Sequence, residues 1–135
     1  MLTRTSSSIV YFFDIILGLI TRSLAEMTRI GTAYGAAPLT FLTLAGVGDL
    51  FLTCSSKTSR NFTVGYRLGR GERLDEILGS LGSVAEGVAT SKGAKAIIDK
   101  LGMHAPIALG VYGVLYEGKC SILNPKPSWV AYYYP

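Results

Sequence analysis

A run of apolar residues at helical spacing decides the fold class of this chain. Intervals of four, three, four and three residues separate its members, which are Ile20, Leu24, Met27, Gly31 and Tyr34. This is one stripe of a repeat of 3.6 residues, and Gly35 followed by Pro38 predicts its end. No stretch alternates between apolar and polar residues as a half-buried strand does. The sequence therefore predicts an all-α protein with about five to seven helices.

Glycine and proline residues divide the rest of the chain into further predicted helices. These helices run over residues 39–44, 50–54, 74–81 and 86–101, and from Pro106 onward. Gly46-Val47-Gly48 is predicted to break the chain between the first two of them. Asp49 is a candidate N-cap for the helix over 50–54. Ser59-Arg60-Asn61 begins another segment, which runs to Gly69-Arg70-Gly71.

The composition limits the classes of protein to which the chain can belong. Its 135 residues are 49% hydrophobic and 16% charged, a balance that suits one folded domain and excludes a disordered chain. The net charge is +4, but the lysines and arginines are scattered and form no basic stripe of the kind that binds nucleic acid. The mean hydropathy of +0.37 is high, so we expect part of the surface to be covered by something else.

The two ends of the chain differ from its middle. Residues 9–20 are apolar apart from Asp14, but this stretch is too short to span a bilayer, which takes about 20 residues. Neither a membrane span nor a signal peptide is predicted there, and peripheral membrane attachment is the weaker alternative. Pro125 and Pro127 oppose regular structure after residue 120, so this tail is predicted to be disordered.

The sequence lacks the residues that a zinc site, a disulfide framework or a self-contained nucleotide site would need. Cys54, Cys120 and His104 are the only cysteines and histidine, too few for a zinc site of ordinary composition or a disulfide framework. The two thiols suit a reducing compartment. Gly46-x-Gly48 and Gly69-x-Gly71 lack the third glycine and the preceding strand of a dinucleotide-binding fingerprint.

Three groups of polar residues are candidates for binding. Ser59-Arg60-Asn61 places a hydroxyl, a guanidinium and an amide side by side, and a guanidinium binds phosphate or carboxylate well. An N-cap beside an exposed arginine is the alternative. Asp49, in an apolar run, could bind hydroxyls or orient a charged catalytic group, or it could only cap a helix. Glu86 could line a site or simply start a helix.

At these residues the sequence resembles a known family. The segments that carry the resemblance are ITRSLAEMTRIG (20–31), AGVGDLFLTCSSKTSRNFTVG (45–65), LGRGE (68–72), VAEGVATSK (84–92) and PIALGVYGVLYEGK (106–119). They are similar to the C-terminal domain of NAD(P)-dependent glycerol-3-phosphate dehydrogenase, especially its bacterial and plastid branch. The resemblance implies a multi-helix fold like the C-terminal domain of 6-phosphogluconate dehydrogenase.

The resemblance also implies roles for six residues. The family interconverts dihydroxyacetone phosphate and sn-glycerol 3-phosphate by hydride exchange with NAD or NADP. Asp49 matches a substrate-site aspartate, and Ser59, Arg60 and Asn61 match the triplet that holds the glycerol phosphate, with Arg60 also reaching the cofactor. Val84 and Glu86 match positions that line the dinucleotide. No metal is implied.

Departures from the family pattern limit what we expect of this chain. Residues 1–18 and 120–135 do not follow the pattern, so a family domain is expected over 19–119 between two divergent ends. The glycine fingerprint and the family's catalytic lysine have no counterpart in the sequence. The chain is therefore expected to bind substrate without turning it over, as a truncated gene product would. A non-catalytic helical module for interaction or dimerisation is the alternative.

Partners and location follow from the resemblance as well. It implies a small phosphorylated substrate, a homodimer in the complete enzyme and a cytoplasmic location, with the plastid as the alternative. No nucleic-acid partner is expected. The residues that discriminate NAD from NADP belong to the dinucleotide domain of the family, so the sequence does not decide between these cofactors.

Overall fold

The computed structural model describes the backbone of residues 3–119 and the side chains of residues 17–119. Six α-helices follow one another in this part of the chain: α1 (Thr3–Ala33), α2 (Asp49–Ser55), α3 (Arg60–Gly69), α4 (Leu74–Ser80), α5 (Glu86–Leu101) and α6 (Pro106–Tyr116). No strand occurs over residues 3–119, which confirms the all-α prediction. The chain divides into two compact units, Met1–Phe51 and Leu52–Pro135. The tail predicted to be disordered, 120–135, lies outside the described residues.

The first unit is built on α1, which begins much earlier than its apolar stripe predicts. The helix runs from Thr3 through the apolar stretch 9–20 and ends at Ala33. No proline interrupts these residues, and isolated glycines inside a helix are tolerated. The end is as predicted, because Gly35 adopts a left-handed φ of 87°. None of the described helices is both long enough and apolar enough to cross a membrane.

A 3₁₀-helix (Pro38–Leu42) and a π-helical turn (Leu44–Gly48) join α1 to α2. Phe41 packs so closely here that a side chain at Gly31 would overlap its ring, and one at Gly46 would overlap its backbone carbonyl. The prediction that Gly46-Val47-Gly48 interrupts the helical backbone is wrong, because the π-helical turn over these residues leads directly into α2. The missing side chain at Gly46 lets the helical backbone continue past Phe41.

Asp49 is the first helical residue of α2 and not its N-cap. Its φ of −65° and ψ of −43° are helical, and its N–H donates to the carbonyl oxygens of Leu44 and Gly46. The capping alternative for Asp49 is therefore wrong, since the π-helical turn runs into α2 without the extended residue that an N-cap requires.

The second unit packs α3, α4, α5 and α6 around one small core. Val64 of α3, Ile77 of α4, and Ala85 and Val88 at the start of α5 are its buried members. The side chains packed around them are partly buried, and they are Leu68, Leu74, Leu81, Leu115 and Tyr116. Ile77 has no exposed surface. Since Val64 of α3 and Val88 of α5 are both members of this core, it packs α3 against the start of α5.

The boundaries of α5 and α6 confirm the predictions for residues 86–101 and for Pro106. Gly102 closes α5 with a left-handed φ of 59°, and the N–H of Met103 donates to the carbonyl of Ile98 (3.0 Å). The hydroxyl of Tyr116 in α6 donates to the carbonyl oxygen of Val88 in α5 (2.7 Å). The two helices are thereby joined by a specific bond as well as by packing.

Candidate functional site

The N-terminus of α3 carries the polar triplet that the sequence singles out. Ser59 is the N-cap: its backbone is extended (φ −70°, ψ 125°), and its Oγ accepts a hydrogen bond from the N–H of Phe62 (3.3 Å). Arg60 and Asn61 are the first two residues of α3 and are exposed. Backbone N–H groups at such a position point away from the helix and favour an anion. Capping by Ser59 thus leaves Arg60 and Asn61 available to a ligand.

The guanidinium of Arg60 makes no ion pair or hydrogen bond with the residues that the structure describes. The other arginines of the second unit are engaged: Arg67 with Glu72, Arg70 with the hydroxyl of Tyr66, and Arg73 with Asp75. Within residues 52–119, Arg60 is therefore the arginine whose charge and planar donor fork are left for a ligand.

A side-chain hydrogen bond joins the starts of α3 and α5. The Oδ1 of Asn61 accepts from the backbone N–H of Gly87 (3.2 Å), the second residue of α5. Val84 and Glu86 lie within three residues of Gly87 and are exposed. Glu86, as the first residue of α5, sits where the helix dipole favours a carboxylate. The structure therefore brings the α3 triplet and the two predicted cofactor positions to one edge of the second unit.

A hollow of about 640 Å³ opens beside Val84. Val88, Lys92 and Tyr116 are among its other lining residues, and the ammonium of Lys92 lies 4.5 Å from the centroid of the Tyr116 ring. The hollow combines an apolar wall with a cation, which suits a ligand that carries both a ring and an anion. Lys92 is not predicted from the sequence as a site residue, because the residues around it form no recognisable binding motif.

Two other residues that the sequence singles out, Asp49 and Cys54, belong to α2. Asp49 is exposed at the start of α2, in the first unit. Cys54 is an exposed residue, and partial burial of its sulfur raises the pKa of the thiol, which is therefore protonated near neutral pH. Cys120 lies outside the described residues. Among the side chains of residues 17–119, no group of acidic, histidine or cysteine residues could hold a metal ion.

Comparison with known proteins identifies relatives along most of the chain. The family model of the NAD-dependent glycerol-3-phosphate dehydrogenase C-terminus matches residues 15–122. The glycerol-3-phosphate dehydrogenase (NAD(P)+) of Teredinibacter turnerae is 56% identical over 101 residues, which are 75% of this chain and 30% of that protein. The enzyme of the same name from Pseudomonas fluorescens is 54% identical over 101 residues, 75% of this chain and 28% of that protein. The chain thus spans about 30% of the length of these curated relatives.

A solved structure agrees with the sequence relatives. The 2.1 Å crystal structure of glycerol-3-phosphate dehydrogenase from Coxiella burnetii matches with a TM-score of 0.74 and 35% sequence identity. The match covers 77% of this chain and 32% of that one. Because the family model also covers most of the sequence, this chain belongs to the family defined by the C-terminal domain of NAD-dependent glycerol-3-phosphate dehydrogenase.

Proposed function

We propose that this chain is the substrate-binding domain of an NAD(P)-dependent glycerol-3-phosphate dehydrogenase, which interconverts dihydroxyacetone phosphate and sn-glycerol 3-phosphate. The observation that carries the proposal is the capped N-terminus of α3, where the unengaged Arg60 stands beside Asn61. A phosphate dianion at this place would be stabilised by the charge of the guanidinium, by hydrogen bonds from the backbone N–H groups and by the helix dipole. Membership of the family supplies the identity of the phosphate ester.

Each candidate polar residue has a proposed part in holding this substrate. Arg60 donates paired hydrogen bonds to phosphate oxygens, and Ser59 and Asn61 add a hydroxyl and an amide donor. Asp49 is proposed, on the family resemblance alone, to accept a hydrogen bond from a substrate hydroxyl or to orient a charged catalytic group. These contacts hold and orient the substrate, so the chain's share of the reaction is positioning.

NAD or NADP is the proposed cofactor of the complete enzyme, and it supplies the hydride. The hollow beside Val84, with its apolar wall and the cation of Lys92, has the chemistry that a ligand with rings and phosphates requires. Val84 and Glu86 would line the dinucleotide, and the Glu86 carboxylate can accept a hydrogen bond from a ribose hydroxyl. Arg60 would reach the same cofactor from the start of α3.

A homodimer and a cytoplasmic location complete the proposal. Dimerisation is supported by leucines of the first unit that are far more exposed than is usual for this residue, Leu39 at 73%, Leu42 at 62% and Leu44 at 88%. A second protein surface would cover them, and the alternative of a non-catalytic interaction module would use the same residues. The free thiol of Cys54 supports a reducing compartment, which suits the cytoplasm and the plastid alike.

Binding of sn-glycerol 3-phosphate to the purified chain tests the proposal. We expect Arg60→Gln to weaken the affinity at least about tenfold, because a hydrogen bond to a charged group contributes about 1.5–3 kcal/mol. Isothermal titration calorimetry measures the change. Arg73→Gln is the matched control, since Arg73 is also exposed but pairs with Asp75, and it should leave the affinity unchanged.

The phosphate itself is the second variable in this experiment. Glycerol without its phosphate is expected not to bind measurably, because the proposed site recognises the anion first. Equal affinities of the wild-type chain and Arg60→Gln for sn-glycerol 3-phosphate, or equal binding of glycerol and its phosphate ester, would contradict the proposal.

A further inference from the structure

The starts of α3 and α5 meet where the side chain of Asn61 packs against Gly87, which has no side chain. The Oδ1 of Asn61 accepts the N–H of Gly87 at 3.2 Å. A Cβ on Gly87 would lie 2.7 Å from that oxygen, 2.8 Å from Cγ and 2.9 Å from Nδ2 of Asn61. Non-bonded carbon atoms prefer separations of about 3.5–4.0 Å. Asn61 can therefore hold this position only while residue 87 is glycine.

The side chain of Asn61 is too short to yield without losing the bond. Its oxygen, nitrogen and Cγ would all fall in the overlap, so relief requires rotation about χ1, which carries Oδ1 away from the N–H of Gly87. Gly93, further along α5, has open space where its own Cβ would stand. The close contact is thus a property of residue 87 and not of every glycine in α5.

The bond to Gly87 also decides which way the Asn61 amide faces. A backbone N–H needs an acceptor, so the amide oxygen must turn to Gly87 and the amide nitrogen must turn away. Nδ2 makes no hydrogen bond with the residues that the structure describes. The guanidinium of Arg60 precedes it at the start of α3 and is likewise unengaged. Two side-chain donors at the start of α3 are therefore left for a ligand.

We infer that Gly87 is a positioning residue for substrate binding: its N–H and its lack of a side chain hold the Asn61 amide so that Nδ2 donates to the phosphate. The inference rests on the proposed function, which supplies the phosphate as that of glycerol 3-phosphate. Gly87 acts through Asn61 alone and does not touch the ligand. An experiment can isolate this dependence.

A double-mutant cycle in the affinity for sn-glycerol 3-phosphate tests the inference. In the wild-type chain, Gly87→Ala should weaken binding about tenfold, because it turns away one donor to a charged group. In the Asn61→Ala background the added methyl group has room and no donor to displace, so the same substitution should change the affinity by about twofold or less. Gly93→Ala, the matched control on α5, should leave the affinity unchanged in both backgrounds.

Each outcome of the cycle decides the inference. A purely structural role for Gly87 would weaken binding equally in both backgrounds and would overturn it, as would an unchanged affinity of Gly87→Ala. If Gly87→Ala does not fold but Gly87→Ala with Asn61→Ala does, the coupling of the two residues is upheld. If the wild-type chain binds no glycerol 3-phosphate, the proposed function fails and the donor role of Asn61 with it. In that case the contact between Asn61 and Gly87 is tested by measuring the free energy of unfolding of the same four chains. Gly87→Ala should then lower the stability of the protein only when Asn61 is present.

Discussion

Among single residues, Ser59 uses its Oγ both to cap α3 and, in the proposed function, to bind the substrate. Its Oγ accepts the N–H of Phe62 at 3.3 Å, a long hydrogen bond, while its carbonyl accepts the hydroxyl of Thr63 at 3.1 Å. The proposed substrate contact uses the Ser59 hydroxyl as a donor. One hydroxyl can do both, because its oxygen accepts through a lone pair while its hydrogen points elsewhere. Capping and binding are therefore compatible at this position.

Substitution separates the two tasks of Ser59. Ser59→Ala should lower the free energy of unfolding by about 0.5–1 kcal/mol, the lower part of the range for an N-cap because the capping bond is long. Ser59→Asp keeps a capping acceptor, so its stability should stay near that of the wild type, while its negative charge should repel the phosphate and remove measurable binding. Urea unfolding and calorimetric titration measure the two effects.

Ser83→Ala is the control for this pair of variants. Ser83 is exposed, and its hydroxyl reaches only the carbonyl of Leu81, at 3.5 Å. Neither stability nor affinity should change with it. Wild-type affinity in Ser59→Asp would argue that the Ser59 hydroxyl does not lie beside the bound phosphate.

Between elements, the end of α3 is tied to α4 by a charged cluster. Nε and Nη2 of Arg67 donate to one carboxylate oxygen of Glu72 (2.8 and 2.6 Å), and Nη1 donates to Oγ of Ser80 (2.6 Å). The hydrogen bonds from Arg67 lower the pKa of the Glu72 carboxyl below its ordinary value. The turn between α3 and α4 is therefore most stable when Glu72 is ionised.

The pH dependence of stability should reveal this cluster. Because the pKa of Glu72 is lowered on folding, its contribution is complete above the ordinary glutamate pKa of about 4.3 and is lost as the pH falls below that value toward the folded-state pKa. Glu72→Gln should be less stable than the wild type at pH 7, and the difference should shrink toward zero in acid. Thermal unfolding followed by circular dichroism across this range measures it.

Asp75→Asn is the matched control for Glu72→Gln. Asp75 pairs with Arg73, and these side chains are 67% and 75% exposed, against 37% and 26% for Glu72 and Arg67. Solvent screens the more exposed pair more strongly, so the change for Asp75→Asn should be smaller. A stability difference for Glu72→Gln that stays constant with pH would show that the carboxylate charge is not its cause.

Sequence reasoning succeeded for elements whose signals are local. The ranges of α5 and α6 follow from Gly102 and Pro106, and the structure confirms them. It failed at Gly46-Val47-Gly48 because the π-helical turn depends on the close approach of Phe41. The bond between Asn61 and Gly87 spans 26 residues, and no local pattern encodes such a contact. The chemistry of Asp49, Ser59-Arg60-Asn61 and Glu86 made them binding candidates, but Val84 and the individual roles came only from the family resemblance, and Gly87 was not predicted at all.

For the whole molecule, we propose that the chain binds substrate without turning it over. The purified 135-residue chain should not oxidise NADH with dihydroxyacetone phosphate, because its sequence contains neither the glycine fingerprint nor a match to the family's lysine. Loss of NADH absorbance is the measurement, with a full-length relative assayed in parallel. Oxidation above the rate of buffer alone would contradict this expectation.

The stretch from Pro38 to Ser55 contains no buried residue. Backbone without buried side chains opens at little free-energy cost, so this stretch should exchange its amide hydrogens well before α3 and α5 do. Asp49 lies in the middle of it. A ligand that engages Asp49 is therefore expected to order this stretch further, and part of its binding free energy is used in that ordering. Affinity at this carboxylate then depends on backbone entropy as well as on the hydrogen bond that it makes.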